Sequence, residues 1–216
     1  MKITFATGNA HKLQEINEIA AGTNIEFVLP PAGFDPVEDG ETFEENSLIK
    51  AKEAARLSGM MSLADDSGLC VEALGGAPGI HSARYAETAQ ARIDKLLKEL
   101  GNVPSLGGGL GRGLNRRAKF VCAMTLVDAD GKILFQTRGE CHGEIAKEQS
   151  GVNGFGYDPI FIPDVPPSSA LWAPSPTQGR RITMAEMSEE EKNEISHRGR
   201  ALRKVLKYLT HIRRSR

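Results

Sequence analysis

The chain of 216 residues lacks the features that mark several specialised classes of protein. No stretch approaches the ~18 apolar residues of a membrane-spanning helix. The first apolar run reaches Gly8-Asn9 too soon to be a signal peptide. The net charge of -1 gives no overall positive field for polymeric nucleic acid. We therefore expect a cytoplasmic protein that binds neither membranes nor polymeric nucleic acid.

Cysteine is scarce, and the three cysteines form neither a CxxC pair nor a zinc-ligand spacing: Cys70, Cys122 and Cys141. This spacing predicts reduced thiols in a cytosolic protein. The chain has no internal repeats. Residues 105–115 are glycine-rich but match neither G-x-G-x-x-G nor a phosphate-binding Walker loop, and residues 165–179 are rich in proline and serine. We predict that both segments are loops.

Apolar periodicity predicts alternating strands and helices in the first third of the chain. The predicted strands and helices are residues 2–7, a helix to about Ala21, 26–29, a helix over 43–58, and 61–64. A helix near 88–100 is followed by a hairpin of 119–127 and 133–138, a third strand near 140–146, an apolar run at 160–162 and a C-terminal amphipathic helix. This order predicts an α/β fold on a mixed sheet, not divided into independent domains.

The turn after the first strand carries the first functional signal, in Thr7, Gly8, Asn9, Ala10, His11 and Lys12. A helix that starts here directs its amides and its positive dipole end at one point, which suits a phosphate. Gly8 permits close approach of a ligand, and Lys12 adds positive charge. An ordinary strand–helix turn with an asparagine cap is the alternative.

Two carboxylates, Asp65 and Asp66, follow the third predicted strand. Ligands of α/β proteins usually bind at the carboxyl ends of strands, and carboxylate oxygens suit Mg²⁺. Such a carboxylate can also orient or deprotonate water. A simple turn or helix cap is an equally open interpretation.

Acidic residues upstream offer further metal ligands, namely Glu38, Glu41, Glu44 and Glu45. For Glu45 a capping box with Thr42 is a sufficient explanation without any metal. Lys50 lies one turn beyond Asn46 on the second helix, and from there it would reach a phosphate or remain a surface lysine.

Two later segments combine aromatic and donor residues. Residues 154–158 place Phe155 and Tyr157 among glycines, which suits either base stacking or a tight turn with core aromatics. On one continuous helix, Lys192 would point away from His197 and Arg198. Ser196 is a favourable N-cap, so we predict that the helix breaks there.

Six motifs occur in the order seen in one known family and are distributed over nearly the whole chain: residues 7–12, 42–46, 64–69, 75–85, 154–159 and 191–198. Together they closely resemble the inosine triphosphatase family, the pyrophosphatases of non-standard purine nucleoside triphosphates. The segment after Tyr85 and residues 105–115 and 165–179 depart from the family pattern. Dimer contacts and the cover of the base are therefore less well defined than the catalytic centre.

The resemblance implies an elongated mixed β-sheet flanked by helices, two lobes with a central active-site cleft, and a homodimer. It implies Mg²⁺-dependent hydrolysis of ITP, dITP and XTP to the monophosphate and pyrophosphate. Thr7 to Lys12 would hold the triphosphate, and Asp66 would be general base and metal ligand beside Asp65.

The remaining roles are also implied by the resemblance. Glu38 or Glu45 would be the second metal ligand, and Lys50 and Ser67 would contact phosphate or substrate. The implied base pocket is Phe155, Gly156, Tyr157, Asp158, Lys192, His197 and Arg198. Donors in this pocket would favour the 6-carbonyl of hypoxanthine over the 6-amine of adenine, because unpaired buried donors cost about 1–3 kcal/mol each.

Overall fold

The computed structural model describes residues 1–103, 115–164 and 181–214. Within these ranges the chain forms six strands and five α-helices. The strands are β1 (Lys2–Phe5), β2 (Glu26–Val28), β3 (Ser62–Val71), β4 (Arg117–Val127), β5 (Ile133–Ile145) and β6 (Phe161–Pro163). The helices are α1 (Ala10–Ile19), α2 (Phe43–Ser58), α3 (Ala89–Gly101), α4 (Glu189–Ile195) and α5 (His197–Arg214).

The six strands form one mixed sheet in the order β2-β1-β3-β4-β5-β6. β1 pairs in parallel with both β2 and β3, whereas β5 and β6 are antiparallel. The parallel pairs arise from strand–helix–strand connections, and the antiparallel part follows the turn at residues 128–131. The predicted α/β fold on a mixed sheet flanked by helices is confirmed.

The contacts divide the chain into two compact units, and β3, β4 and β5 contribute residues to both. Unit 1 comprises Met1–Ser67, Val121–Glu140 and Ser196–Arg216. Unit 2 comprises Gly68–Phe120 and Cys141–Ile195.

Each unit has its own apolar core. In unit 1, α1 and α5 pack their apolar stripes on buried side chains of the sheet that include Phe5, Leu63 and Met124. A second cluster in unit 1 is built from small side chains of α2, Ala51, Ala54 and Ala55, which allow close packing on Ala64. In unit 2, buried leucines of α3 pack with residues of β3, β4, β5 and β6.

Two strands are longer than the sequence predicts. Aspartate and glycine are depleted in strands, and the sequence predicts that the third strand ends before Asp65. β3 in fact continues to Val71, so the two aspartates lie inside a strand and not at its end. The predicted strands at 133–138 and 140–146 are likewise one strand of 13 residues, β5, which runs without a break through Gly139.

The predicted helix boundaries fare better. The break at Ser196 is confirmed, since α4 ends at Ile195 and the Ser196 hydroxyl accepts a hydrogen bond from the amide of Gly199. The capping box between Thr42 and Glu45 is also present. Helix and cap propensities act locally, which explains why sequence alone located these ends.

Two sequence predictions fall on segments that are left without description. All of the predicted glycine-rich loop except Asn115 lies outside the described residues, as does the predicted loop at 165–179. Across the described ranges, no helix combines the length and apolarity needed to span a membrane.

Gly139 is required by the packing of β5 on α5. A Cβ atom there would collide with the carbonyl oxygen of His197 and lie 2.7 Å from the amide nitrogen of Ala201. We expect Gly139→Ala to lower the free energy of unfolding by about 1–3 kcal/mol, because backbone atoms must move apart. Gly101→Ala is the control, since a Cβ at Gly101 meets nothing within 4 Å. Equal urea unfolding curves for both variants would contradict this packing argument.

Candidate active site

The turn at Thr7–Lys12 is organised by its own side chains. The Asn9 carboxamide oxygen accepts hydrogen bonds from the amides of His11 (2.9 Å) and Lys12 (3.3 Å), which caps α1. The Thr7 hydroxyl accepts one from the Asn9 amide at 3.1 Å. Gly8 does not have a positive φ, and the space where its Cβ would lie is open. The turn is therefore a capped helix N-terminus with room for a ligand in front of Gly8.

Asp65 gathers three donors onto one buried carboxylate. The Lys12 ammonium lies 3.0 and 3.1 Å from its two oxygens, and the Ser67 hydroxyl donates to Oδ2 at 2.7 Å. The Arg198 guanidinium donates to the same Oδ2 from Nη2 at 3.1 Å. Burial alone would raise the pKa of Asp65, but the charges of Lys12 and Arg198 lower it well below its usual range. Asp65 is therefore an ionised hub.

Glu15 is a charged residue that sequence reasoning missed. It is buried on α1, and its carboxylate accepts a hydrogen bond from Nη1 of Arg198. Burial alone would lower the pKa of Arg198, but Glu15 and Asp65 raise it. The spacing of Glu15 one turn after Lys12 was the available signal, although an i, i+3 pair on a helix ordinarily lies on the surface. The structure thus holds Arg198 between two carboxylates.

Asp66 has a different environment from its neighbour. Its Oδ1 lies 2.8 Å from the Lys50 ammonium, whereas its buried Oδ2 has no hydrogen-bond partner among the described residues. Burial raises the pKa of Asp66, although the charge of Lys50 acts to lower it. Burial alone would lower the pKa of Lys50, but Asp66 raises it. The pKa values of these adjacent aspartates on β3 are thus shifted in opposite directions. One buried oxygen of Asp66 has no hydrogen-bond partner among the described residues.

The structure distinguishes Glu38 from Glu45. The Glu38 carboxylate lies 3.3 Å from the same Lys50 ammonium that contacts Asp66. Its loop is tied to α2, where the amide of Gly40 donates to the Asn46 side chain at 2.9 Å. The Glu45 carboxylate instead accepts from the amides of Glu41 and Thr42 in the capping box. Glu38 and Asp66 are therefore the two carboxylates that share one cation.

The described residues do not form a metal centre from protein ligands alone. Within the described ranges, no group of three or more His, Cys, Asp or Glu side chains is placed to hold a metal ion. Mg²⁺ commonly takes only one or two carboxylates and completes its shell with water and substrate phosphate. Asp66 and Glu38 fit that pattern, because Asp66 has a buried oxygen without a partner.

The predicted base-pocket residues 154–158 and Lys192 lie in unit 2. The buried Lys192 ammonium is 3.0 Å from Asp158 and 4.8 Å from the centroid of the Phe155 ring. Tyr157 is a core residue whose hydroxyl donates to the carbonyl of Ser82 at 3.0 Å. Of the two aromatics, Phe155 is thus the half-buried one. His197 and Arg198 begin α5 in unit 1.

The Asp65 hub predicts a characteristic pH dependence of stability. Because its pKa is lowered on folding, the ion pairs of Asp65 stabilise the protein fully above its ordinary pKa of 3.8 and lose that effect as the pH falls. We expect Asp65→Asn to lower the free energy of unfolding by about 3 kcal/mol or more at pH 7. The difference from the unmodified protein should shrink below pH 3.8 by about 1.4 kcal/mol per pH unit.

Urea unfolding at several pH values measures this difference. The matched control is Asp94→Asn, which changes an exposed carboxylate on α3 and should be nearly neutral. A difference between Asp65→Asn and the unmodified protein that stays constant from pH 7 to pH 3 would contradict the assignment.

Comparison with known proteins places this arrangement in a family. Residues 3–208 match the model of the Ham1 family. The chain is 42% identical over 202 residues to a dITP/XTP pyrophosphatase of Nostoc sp. strain PCC 7120, which is 93% of this chain and 90% of that protein. It is 40% identical to a dITP/XTP pyrophosphatase of Corynebacterium efficiens, with 95% and 96% of the two chains covered.

Solved structures show the same similarity. A HAM1 protein from Coxiella burnetii superposes with a TM-score of 0.78 at 37% identity, covering 98% of this chain and 99% of that one. The Staphylococcus aureus Ham1 protein gives a TM-score of 0.75 at 36% identity, with the same coverage. Since both the motifs and the fold match over nearly the full length, the chain belongs to the Ham1 family.

Proposed function

We propose that this protein hydrolyses the non-standard purine nucleoside triphosphates ITP, dITP and XTP to the monophosphate and pyrophosphate. The observation that carries the proposal is the contrast between the two neighbouring carboxylates of β3. Asp65 is saturated by three donors, whereas Asp66 keeps a buried oxygen without a partner among the described residues. The names of the relatives, dITP/XTP pyrophosphatases, supply the substrate class.

Asp66 is the better candidate for the group that handles water. Neighbouring carboxylates whose pKa values are driven apart are typical of acid–base sites. Asp65 has its lone pairs engaged by cations and a hydroxyl, so it is a poor base. Asp66 has a raised pKa and an unengaged oxygen, which suits orienting a water and accepting its proton. Asp65 then acts by holding Lys12 and Arg198 in place.

The residues proposed to bind the triphosphate all lie in unit 1. The turn from Thr7 to Lys12 presents a capped helix N-terminus with open space at Gly8, and such termini attract phosphate. The Lys12 side chain, 19% exposed, brings an ammonium to the same turn. Lys50 adds a second ammonium beside Asp66. Together these groups would stabilise charge that develops on the leaving pyrophosphate.

We propose Mg²⁺ as the cofactor, with Asp66 and Glu38 as its protein ligands. When bound, a divalent cation neutralises phosphate charge and polarises the phosphoryl group. Both carboxylates lie within hydrogen-bond distance of the Lys50 ammonium, so their oxygens are close enough to one point to serve as ligands of the same ion. Glu45 is the weaker candidate because its oxygen is used by backbone amides.

Recognition of the base is proposed for the residues that the family resemblance assigns to it. In unit 2 these are Phe155, Gly156, Tyr157, Asp158 and Lys192, and in unit 1 they are His197 and Arg198. Lys192 and Arg198 are both held by carboxylates inside their own units, which fixes the direction of their remaining N–H groups. We further propose that the protein is a cytoplasmic homodimer without affinity for polymeric nucleic acid.

The activity is tested by measuring pyrophosphate release from ITP, dITP, XTP, ATP, GTP and dTTP with Mg²⁺ or EDTA. We expect turnover of the first three and little turnover of ATP. Asp66→Asn should lower turnover of ITP by about a hundredfold or more, because a general base and metal ligand is lost. ITP binding should remain measurable in that variant, and Asp94→Asn should behave as the unmodified protein. Equal turnover of ATP and ITP would contradict the proposed selectivity.

The choice between the two glutamates has its own test. Glu38→Gln should raise the Mg²⁺ concentration needed for half-maximal activity by about tenfold or more, since a charged ligand is lost. Glu45→Gln is the matched control, because glutamine keeps the acceptor of the capping box. Titration of free Mn²⁺ by electron paramagnetic resonance should show the same order without substrate. A larger effect of Glu45→Gln would assign the metal to Glu45.

A further inference from the structure

The last helix has an unusual charge. α5 runs for 18 residues without a single aspartate or glutamate. It carries seven arginines and lysines: Arg198, Arg200, Arg203, Lys204, Lys207, Arg213 and Arg214. Arg198 is buried against Glu15 and Asp65, but the other six make this helix a local concentration of positive charge in a chain whose net charge is -1. Such a concentration attracts anions at short range.

One face of α5 combines charge with an aromatic ring. Lys204, Lys207, Tyr208 and His211 are spaced i, i+3, i+4 and i+7, which places them on the same side of the helix. Lys204, Lys207 and His211 are exposed, and Tyr208 is half-buried. Tyr208 stacks on Phe135 of β5, with the ring centroids 4.6 Å apart and the planes 9° from parallel.

An open surface depression of about 710 Å³ lies at this face of unit 1. It is lined by Phe135, Lys204, Lys207, Tyr208, Thr210 and His211. Small-molecule sites typically have volumes of about 300–1,000 Å³, with apolar and aromatic walls and a few polar groups. A fully solvated helix face would have neither the ring pair nor the concavity. We call this feature the α5 groove.

Two lysines, Lys204 and Lys207, supply the positive charge of the α5 groove. The Lys204 ammonium donates to the carbonyl of Arg138 at 2.6 Å, which leaves its charge in place. Across the described part of the chain, neither Lys204 nor Lys207 forms an ion pair with a carboxylate. The groove thus offers two ammonium groups beside aromatic rings. This combination would complement an anion that carries an aromatic ring.

We propose that the α5 groove is a second nucleotide site that binds a nucleoside phosphate. The base packs against the Phe135–Tyr208 ring pair, and the phosphates contact Lys204 and Lys207. Stacking on aromatic side chains tolerates any base, so this site selects phosphate charge and a planar ring, not a particular base. None of its residues belongs to the catalytic or substrate-binding set proposed above.

The test is calorimetric titration with the α,β-methylene analogue of ITP, which cannot be cleaved at the α-phosphate. We expect two equivalents bound per chain. Lys204→Glu with Lys207→Glu should abolish one equivalent or weaken it at least about tenfold, because charge-assisted contacts are lost. Lys12→Ala should remove the other equivalent. Lys98→Glu with Lys147→Glu, two exposed lysines of unit 2, makes the same change in net charge and should leave both equivalents intact.

A second variant distinguishes a loss of binding from a loss of folding. Tyr208→Leu keeps an apolar side chain on α5 but removes the stacking surface, and it should weaken the same equivalent as the double lysine variant. Circular dichroism of each variant reports whether α5 is intact.

The outcomes separate this inference from the proposed function. If the proposed function fails, one equivalent should remain that is insensitive to Lys12→Ala and sensitive to the α5 variants. A single equivalent that depends only on Lys12 would overturn the second site. A change of molecular mass in Lys204→Glu with Lys207→Glu, seen by analytical ultracentrifugation, would instead make the groove an interface between copies and also overturn it.

Discussion

The candidate site depends on the ion pairs that the buried carboxylate of Asp65 forms with Lys12 and Arg198. This carboxylate joins Lys12, 53 residues away in sequence, and Arg198, 133 residues away, at one point of β3. A buried carboxylate without partners would be very costly, and a single missing partner leaves an uncompensated charge. The start of α1 and the start of α5 are therefore both held to the strand. Glu15 extends the same network by binding the far side of Arg198.

This hub also determines what its neighbour can do. Successive side chains of a strand point to opposite faces, so Asp65 and Asp66 lie in different surroundings although they are adjacent. The cations near Asp65 lower its pKa, whereas burial dominates at Asp66 and raises it. Asp65 is consequently an ionised carboxylate held by three donors. Asp66 keeps a buried oxygen without a hydrogen-bond partner among the described residues. That division of roles underlies the proposed water activation and metal binding.

Local patterns allowed much of this molecule to be predicted. The span of α2, the break at Ser196 and the capping box at Thr42 were predicted correctly, because caps and helix periodicity act over a few residues. The six ordered motifs identified the family, and the family model and solved structures confirm it. The prediction that β3 ends at Ala64 was wrong, since partners distant in sequence stabilise aspartates within the strand. The segments 105–115 and 165–179, which we predict to be loops, lie outside the described residues except for Asn115.

By itself, the sequence determined the fold class and the family, and it supplied most of the candidate site residues. Those conclusions rest on helix and strand periodicity, on helix caps and on the order of the motifs. Each of these can be recognised without knowing which residues meet in the fold. Only the tertiary structure decided which charges meet: Arg198 with Glu15 and Asp65, and Lys50 with Glu38 and Asp66. Burial and electrostatic pairing depend on distances across the fold, and spacing along the chain does not encode them.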